Sequence, residues 1–407
     1  MRVAFVCADP GVPVFGRKGS SVHAQEILRA YRARGDEVRV YCARAGDSVP
    51  ADLQDVEVLE HRTRVQDPAE RERAVAEAAA HLAEAVVLDG CDLVHERYSL
   101  FSRASALVSR ALGVPAVLEV NAPLIDEQRE HRVLVDEAGA ERATRAVLSS
   151  AAAVACVSEP VARWAAEHGA ASPLVAPNGV NTRRIVPGPA RSGDPLVVGF
   201  VGTLKPWHGV GGLVDAVALL DPERVRLLVV GDGPEGPALR EQAGRLGLDV
   251  EFTGAVAPED MPAQLARLDV GVAPYPAREG QDYFSPLKVY EYLAAGLPVI
   301  ATGVGQIPAI LRHGVTGLVV EPGRPEALAA AVADLAADPA RRRAMGAAAR
   351  ADAVAEHDWS RVLERILAAV PVDRSAVTGT EAMRTAGMSI DGIRTGTTTD
   401  STEEAAA

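Results

Sequence analysis

The chain has 407 residues, with 42 basic against 55 acidic side chains and a formal net charge of −13. Hydrophobic residues make up 48% of it and aromatic residues 4%, enough apolar material for two cores, which excludes wholesale disorder. The acidic balance argues against nucleic acid or an anionic membrane as the main partner.

No window approaches the ~18 consecutive apolar residues of a membrane span. The first residues run into a strand-like stretch, Val3 to Ala8, without the pattern of a signal peptide. A soluble, cytoplasmic protein is therefore expected. Cys7, Cys42, Cys91 and Cys156 lie far apart and lack metal-ligand spacing, so they read as buried free thiols.

Apolar runs rich in Val, Leu and Ala alternate with helical patterns along the whole chain. Strands are expected at 2–8, 37–42, 56–59, 92–95, 115–120, 153–157 and 173–176, with helices near 20–34, 68–88, 101–112, 138–151 and 159–168. In the first helix Ala24, Ile27, Leu28 and Tyr31 fall at i, i+3, i+4, i+7 and form one buried face. Residues 187–195, rich in Gly and Pro, read as a linker. The alternation then restarts with strands at 196–202, 225–231, 249–253, 269–273, 297–301 and 317–320, and later helices at about 324–337, 340–355 and 360–370. Unbroken apolar strands separated by helices indicate parallel sheets covered on both faces. The expected fold is α/β, with two doubly wound Rossmann-like domains facing across a cleft. These are residues 1–186 and 196–356, with 357–370 crossing back toward the first domain and 371–407 expected to be disordered.

Open α/β sheets bind ligands beyond the carboxyl ends of their strands, so the strand-to-helix loops carry the functional argument. Only three basic residues are lysines, Lys18, Lys205 and Lys288, and each sits in a Gly- or Pro-bearing loop just ahead of a helix. Coding bias explains the scarcity but not the placement; a compact ammonium in such a loop suits a phosphate oxygen, with chance as the alternative.

In Asp282-Tyr283-Phe284-Ser285-Pro286-Leu287-Lys288-Val289-Tyr290-Glu291, Pro286 suits the first turn of a helix. Free N–H groups near Leu287 and Lys288 can hold an anion, and Glu291 follows one turn on. A phosphate at the helix tip with a carboxylate one turn deeper suits a nucleoside diphosphate, the acid accepting ribose hydroxyls; an ordinary surface glutamate is the plainer reading.

The loop Gly202-Thr203-Leu204-Lys205-Pro206-Trp207-His208-Gly209 supplies Lys205 and His208 as cationic candidates. Phe15-Gly16-Arg17-Lys18-Gly19-Ser20-Ser21-Val22-His23 is a second anion-friendly helix start. It matches neither a Walker loop nor the dinucleotide fingerprint, which weakens ATPase and dehydrogenase readings. After the strand Val117–Val120, Glu119 and Asn121 can hydrogen-bond a sugar, with a structural turn before Pro123 as the alternative. Glu96-Arg97-Tyr98 forms a polar cluster at the same sheet edge, or an internal Glu–Arg pair. Exposed backbone at Gly254-Ala255-Val256 could read a nucleobase.

Together these residues resemble a retaining glycosyltransferase of the GT-B fold, family four of the sugar-nucleotide-dependent enzymes, from residue 1 to about residue 370. The most specific stretches are Phe200–Gly209, Val230–Glu235 and Phe284–Ile300; Pro177-Asn178-Gly179-Val180-Asn181 and His357-Asp358-Trp359 also look like the family's. By that resemblance Glu291 matches the second glutamate of an E-x7-E signature, the ribose ligand, and the first falls at Tyr283. The chain looks like a variant subgroup with Ser-Pro-Leu-Lys at this helix start. The usual arginine and lysine of the other phosphate loop are Thr203 and His208 here, with Lys205 and Lys288 expected to supply the displaced charge. Asn121 stands at the position similar to the family's first-domain histidine.

The resemblance implies transfer of a sugar from a nucleoside diphosphate sugar to a hydroxyl acceptor (a cell-surface glycan, lipid or small metabolite) with retention of configuration. No cofactor is implied, and no metal-ligand cluster is visible in the sequence. Lys205, Lys288, Asn121 and Glu119 are the expected catalytic residues. Gly19, Ser20, Gly202, Thr203, His208, Val256, Asp282, Ser285, Pro286, Leu287 and Glu291 are the expected donor ligands. The competing readings are a nucleotide-sugar 2-epimerase of the same fold and a catalytically silent sugar-nucleotide-binding relative.

Overall fold

The computed structural model describes residues 1–63, 65–189, 195–277 and 283–371. The expected linker is thus described only at its two ends, and the expected disordered tail lies, apart from Pro371, outside the described residues.

The first sheet holds seven strands: β1 (Arg2–Cys7), β2 (Glu37–Cys42), β3 (Val58–Glu60), β4 (Leu93–Arg97), β5 (Ala116–Val120), β6 (Ala153–Cys156) and β7 (Leu174–Val175). Their order is β3-β2-β1-β4-β5-β6-β7, and every pairing is parallel. A second, six-stranded sheet holds β8 (Leu196–Val201), β9 (Val225–Val230), β10 (Val250–Phe252), β11 (Val270–Ala273), β12 (Val299–Thr302) and β13 (Gly317–Val320). Its order is β10-β9-β8-β11-β12-β13, again wholly parallel. Central strands such as β5, β6 and β11 are buried at every position. Helices cover both faces, which is why these strands read as unbroken apolar runs.

Two local departures have plain causes. The helix expected from residue 101 begins at Ala104 because Phe101 takes a left-handed φ of 68° and cannot join it. A short helix, Leu124–His131, follows β5 where the sequence suggested only a turn.

In each sheet the strand order reverses once, between β1 and β4 in the first and between β8 and β11 in the second. At such a reversal the connections leave to opposite faces and open a crevice beyond the strand ends. All four free cysteines are buried, and no helix among the described residues is long and apolar enough to cross a membrane.

The helix Trp359–Ala368 ends the described chain. Its buried face, Trp359, Val362, Leu363 and Ile366, packs among Val3, Phe5, Ile27 and Tyr31 in the core of the first sheet. The entry to this helix is clamped at Val180, whose N–H donates to His357 O at 2.8 Å while Trp359 N–H donates to Val180 O at 3.2 Å. Gly179 permits the crossing, since a Cβ there would lie 2.8 Å from His357 O. Residues 357–368 therefore complete the core of the first domain although they follow the second in sequence. Leu363 is fully buried, so Leu363→Ala is expected to destabilise the protein by about 2–5 kcal/mol, measured as a lowered midpoint in urea unfolding.

Candidate functional site

The two crevices face a shared cavity of about 930 Å³. It is lined from the first domain by residues including Arg17, Lys18, Gly19, Ser20, His23, Arg97 and Asn121, and from the second by Gly202, Thr203, His208, Val256, Tyr275 and the run Tyr283–Lys288 with Glu291. The domains touch around it. At Gly19 the approach is close, since a Cβ there would lie 3.2 Å from Leu287 Cδ1. Ser158 Oγ donates to Tyr283 O at 2.7 Å, and Gln306 Nε2 donates to both Val157 O (2.8 Å) and Phe284 O (3.0 Å). The Tyr283 hydroxyl donates to the Glu127 carboxylate across the gap.

Lys288 is the central cation. It lies in the first turn of the helix Leu287–Ala294 and is only 8% exposed. Its Nζ donates to Tyr275 Oη at 3.1 Å and lies 4.8 and 4.9 Å from the ring centres of Phe200 and Tyr275. The ring faces attract the ammonium but do not neutralise it, and burial pushes its pKa down to about 7 against the opposing pull of Glu291. Glu291, one turn on, is driven the other way: burial raises it to about 7, against Arg184 and Lys288. Further unfilled donors surround the cavity. Arg97 Nη1, Arg184 Nε and Asn121 Nδ2 are buried without a hydrogen-bond partner among the described residues, although all three side chains line the wall. Buried donors without acceptors are costly in an empty protein and favourable around a bound anion or hydroxyl.

Several expected roles change. Lys205 does not line the cavity: Pro206 starts a short 3-10 turn and Gly209 takes a left-handed φ of 68°, which carries Lys205 outward to lie 5.4 Å from the Trp207 ring centre. His208 turns inward instead, its Nδ1 bonded to Thr203 O. It is no cation there, because burial and the Lys288 charge push its pKa down to about 4. Ser285 lines the wall, but its Oγ accepts the Asn178 N–H at 3.0 Å and its carbonyl accepts Asn178 Nδ2 at 2.9 Å, so it braces the loop. Pro286 stands just before the helix rather than in its first turn. Asp282 lies outside the described residues.

Glu119 is not in the wall either. It is 4% exposed beneath it, with Oε1 against His23 Nε2 and Oε2 3.2 Å from His95 Nε2. Glu96, at the end of β4, accepts from Ser102 Oγ and, at 2.7 Å, from the Ser105 N–H rather than pairing with Arg97, which leaves Arg97 for the cavity. His23, Arg184 and Tyr275 carried no sequence signal of their own, since a histidine on a helix, an arginine in a turn and a tyrosine after a strand are unremarkable until the fold gathers them.

Gly202 is strained on two counts if replaced: its φ is 138°, and a Cβ would lie 3.1 Å from Lys288 Cε. Gly202→Ala is expected to destabilise by about 1–3 kcal/mol and to displace the lysine, measured by thermal unfolding together with pyrophosphate titration.

Residues 17–184 match the family model described as Glycosyltransferase Family 4, and residues 195–338 match Glycosyl transferases group 1. The chain is 36% identical over 220 residues to a GDP-mannose-dependent alpha-(1-6)-phosphatidylinositol monomannoside mannosyltransferase of Mycobacterium tuberculosis, a match spanning 50% of this chain and 57% of that protein. Against a D-inositol 3-phosphate glycosyltransferase of Actinosynnema mirum it is 28% identical, over 86% of this chain and 91% of that one. In fold it is similar to Anabaena HepE, solved with UDP and glucose, at a TM-score of 0.67, 21% identity and coverage of 93% and 100%. A second neighbour, the lipopolysaccharide glycosyltransferase WaaG, gives a TM-score of 0.65, 17% identity and coverage of 89% and 98%. The two family models fall one on each sheet-bearing half of the chain, and both describe glycosyltransferases.

Proposed function

We propose that the protein transfers a hexose from a nucleoside diphosphate sugar to a hydroxyl acceptor with retention of configuration, without a metal, in the variant subgroup marked by Ser285-Pro286-Leu287-Lys288. The observation that carries this is the Lys288 ammonium, buried against two aromatic rings at a helix start and facing a cavity large enough for a sugar nucleotide. An uncompensated buried charge is destabilising until a counter-charge arrives, and a diphosphate is the counter-charge that also uses the free N–H groups of that helix.

As the sugar leaves, negative charge grows on the diphosphate, and Lys288 with Arg184 and Arg97 stabilises it without reorganisation. Glu291 takes the ribose hydroxyls. The departing phosphate oxygen accepts the acceptor's proton on the same face, so no protein nucleophile is required. Asn121, with an unfilled donor in the first-domain wall, holds a hydroxyl of the sugar or the acceptor. The relatives' names support a nucleotide-sugar donor and a glycan, lipid or inositol-type acceptor. We place the protein in the cytoplasm, where nucleotide sugars are held.

Free nucleoside diphosphate released only when acceptor is present separates transfer from epimerisation; binding without release against a wide acceptor panel would favour the silent alternative. Lys288→Ala should cost roughly 1.5–3 kcal/mol of donor binding or transition-state stabilisation, and unchanged calorimetric affinity and turnover would remove its role.

The pH dependence has a definite sign. Lys288 is pushed down to about 7 in the free protein, so the charged form that a diphosphate requires prevails below that pH and is lost above it. Affinity for UDP-glucose or GDP-mannose, whose phosphates do not titrate in this range, should fall by up to about tenfold per pH unit above 7. A flat calorimetric profile from pH 7 to 9 would contradict the assignment.

A further inference from the structure

Beneath the first-domain wall runs a buried chain of polar groups that the phosphate site does not use. Glu119, near the end of β5, offers one carboxylate oxygen to each of two imidazoles, His23 Nε2 and His95 Nε2. His95 is wholly buried, and its Nδ1 is hydrogen-bonded to the Tyr31 hydroxyl at 2.9 Å. Burial alone would raise the Glu119 carboxyl, but the charge and hydrogen bond of His23 and the bond from His95 overcome it and hold it well below its ordinary value. The carboxylate is therefore ionised and fully occupied.

The two histidines differ in one respect. Both nitrogens of His95 are spoken for inside the protein. His23 reaches the cavity wall, and its ring is fixed edge-on against Trp359 with centres 4.7 Å apart. With Nε2 turned against the Glu119 carboxylate, Nδ1 is the ring nitrogen left for a ligand. A histidine whose far nitrogen is anchored by a carboxylate has its orientation and tautomer set, and this is how imidazoles are prepared to make a single directed hydrogen bond.

We propose that His23 hydrogen-bonds through Nδ1 to a hydroxyl of the donor's sugar, with Glu119 and His95 as positioning residues that hold the ring. This rests on the sugar-nucleotide reading above. Lys288 belongs to the second-domain helix Leu287–Ala294, whereas His23 lies on the helix Gly19–Ala33 of the first domain, and both line one cavity, so the two can hold different parts of one ligand. Glu119 thus acts on the sugar through His23 rather than by touching it.

The test compares two ligands on the full chain by calorimetry: the free diphosphates UDP and GDP, and the sugar nucleotides UDP-glucose and GDP-mannose. His23→Ala is expected to weaken the sugar nucleotide about five- to tenfold while leaving the diphosphate within about twofold. Glu119→Gln should shift the same ratio in the same direction, and His23→Asn, which keeps a polar atom near Nδ1, should restore part of it. Lys288→Ala should weaken both ligands alike.

A purely structural role for the cluster would move both affinities together with the melting temperature, and that result, or an unchanged ratio in His23→Ala, would overturn the proposal. If the unaltered protein bound none of the four ligands, the functional reading would fail first and the His23 assignment would fall with it. That outcome is separate from a wild type that binds and variants that do not discriminate.

Discussion

The rest of the site depends on one arrangement, a buried ammonium group with no acidic side chain bonded to it among the described residues. Lys288 Nζ has a phenol oxygen at 3.1 Å and two aromatic faces, a setting that tolerates a cation without cancelling it. Glycines make the pocket possible. Gly231 and Gly202 pack so closely that a Cβ on Gly231 would lie 2.0 Å from Gly202 O, which brings the ends of β8 and β9 together around the lysine. His208 shares the pocket and is driven neutral by burial and by that same charge. Two cations side by side would repel and weaken the site, so one stays charged and the other serves as a hydrogen-bonding group.

The two glutamates of interest show how environment divides labour between identical side chains. Glu291 lines the cavity, and burial raises it to about 7 despite Arg184 and Lys288. Glu119 is at least as enclosed, yet it is held well below its ordinary value because two imidazoles supply the hydrogen bonds and charge that water would otherwise provide. Glu291 is thus poised to change its protonation when a ligand arrives, and Glu119 is a fixed anion. A changeable acid belongs beside a ligand and a fixed one belongs behind the residue it orients.

Most of the fold was legible because parallel strands buried on both faces leave a signature in the sequence itself: β5, β6 and β11 appear as apolar runs bounded by turn residues. The strand-end rule then pointed to loops that do line one cavity, with Gly19, Asn121, Gly202, Leu287, Lys288 and Glu291 among them. Side-chain direction within those loops was not legible. Lys205 and His208 lie three residues apart in one turn, and only the folded turn shows that His208 lines the cavity and Lys205 does not. Nor could local reading find Glu119's partners, because His23 is 96 residues away and meets it only where the first helix crosses the sheet. Arg184 and Tyr275 were missed for the same reason, since their roles are created by distant chain segments.

The segment that departs from the resembled family pattern is also bonded to the opposite domain. Tyr283 stands where that pattern has a carboxylate, and its hydroxyl reaches Glu127, which supplies a carboxylate to the cavity from the first domain. Ser158 Oγ donates to the Tyr283 carbonyl, Gln306 Nε2 donates to the Val157 carbonyl, and Ser285 is taken by Asn178. These bonds span both halves, so they exist only while the halves are together. Each contributes roughly 0.5–1.5 kcal/mol net once water is counted as the competitor, and about 1.5–3 kcal/mol where the acceptor is the Glu127 carboxylate. The lysine and its helix lie within the second domain, whereas Arg97, Asn121 and Glu127 reach the same cavity from the first, so the lining is shared between the two halves.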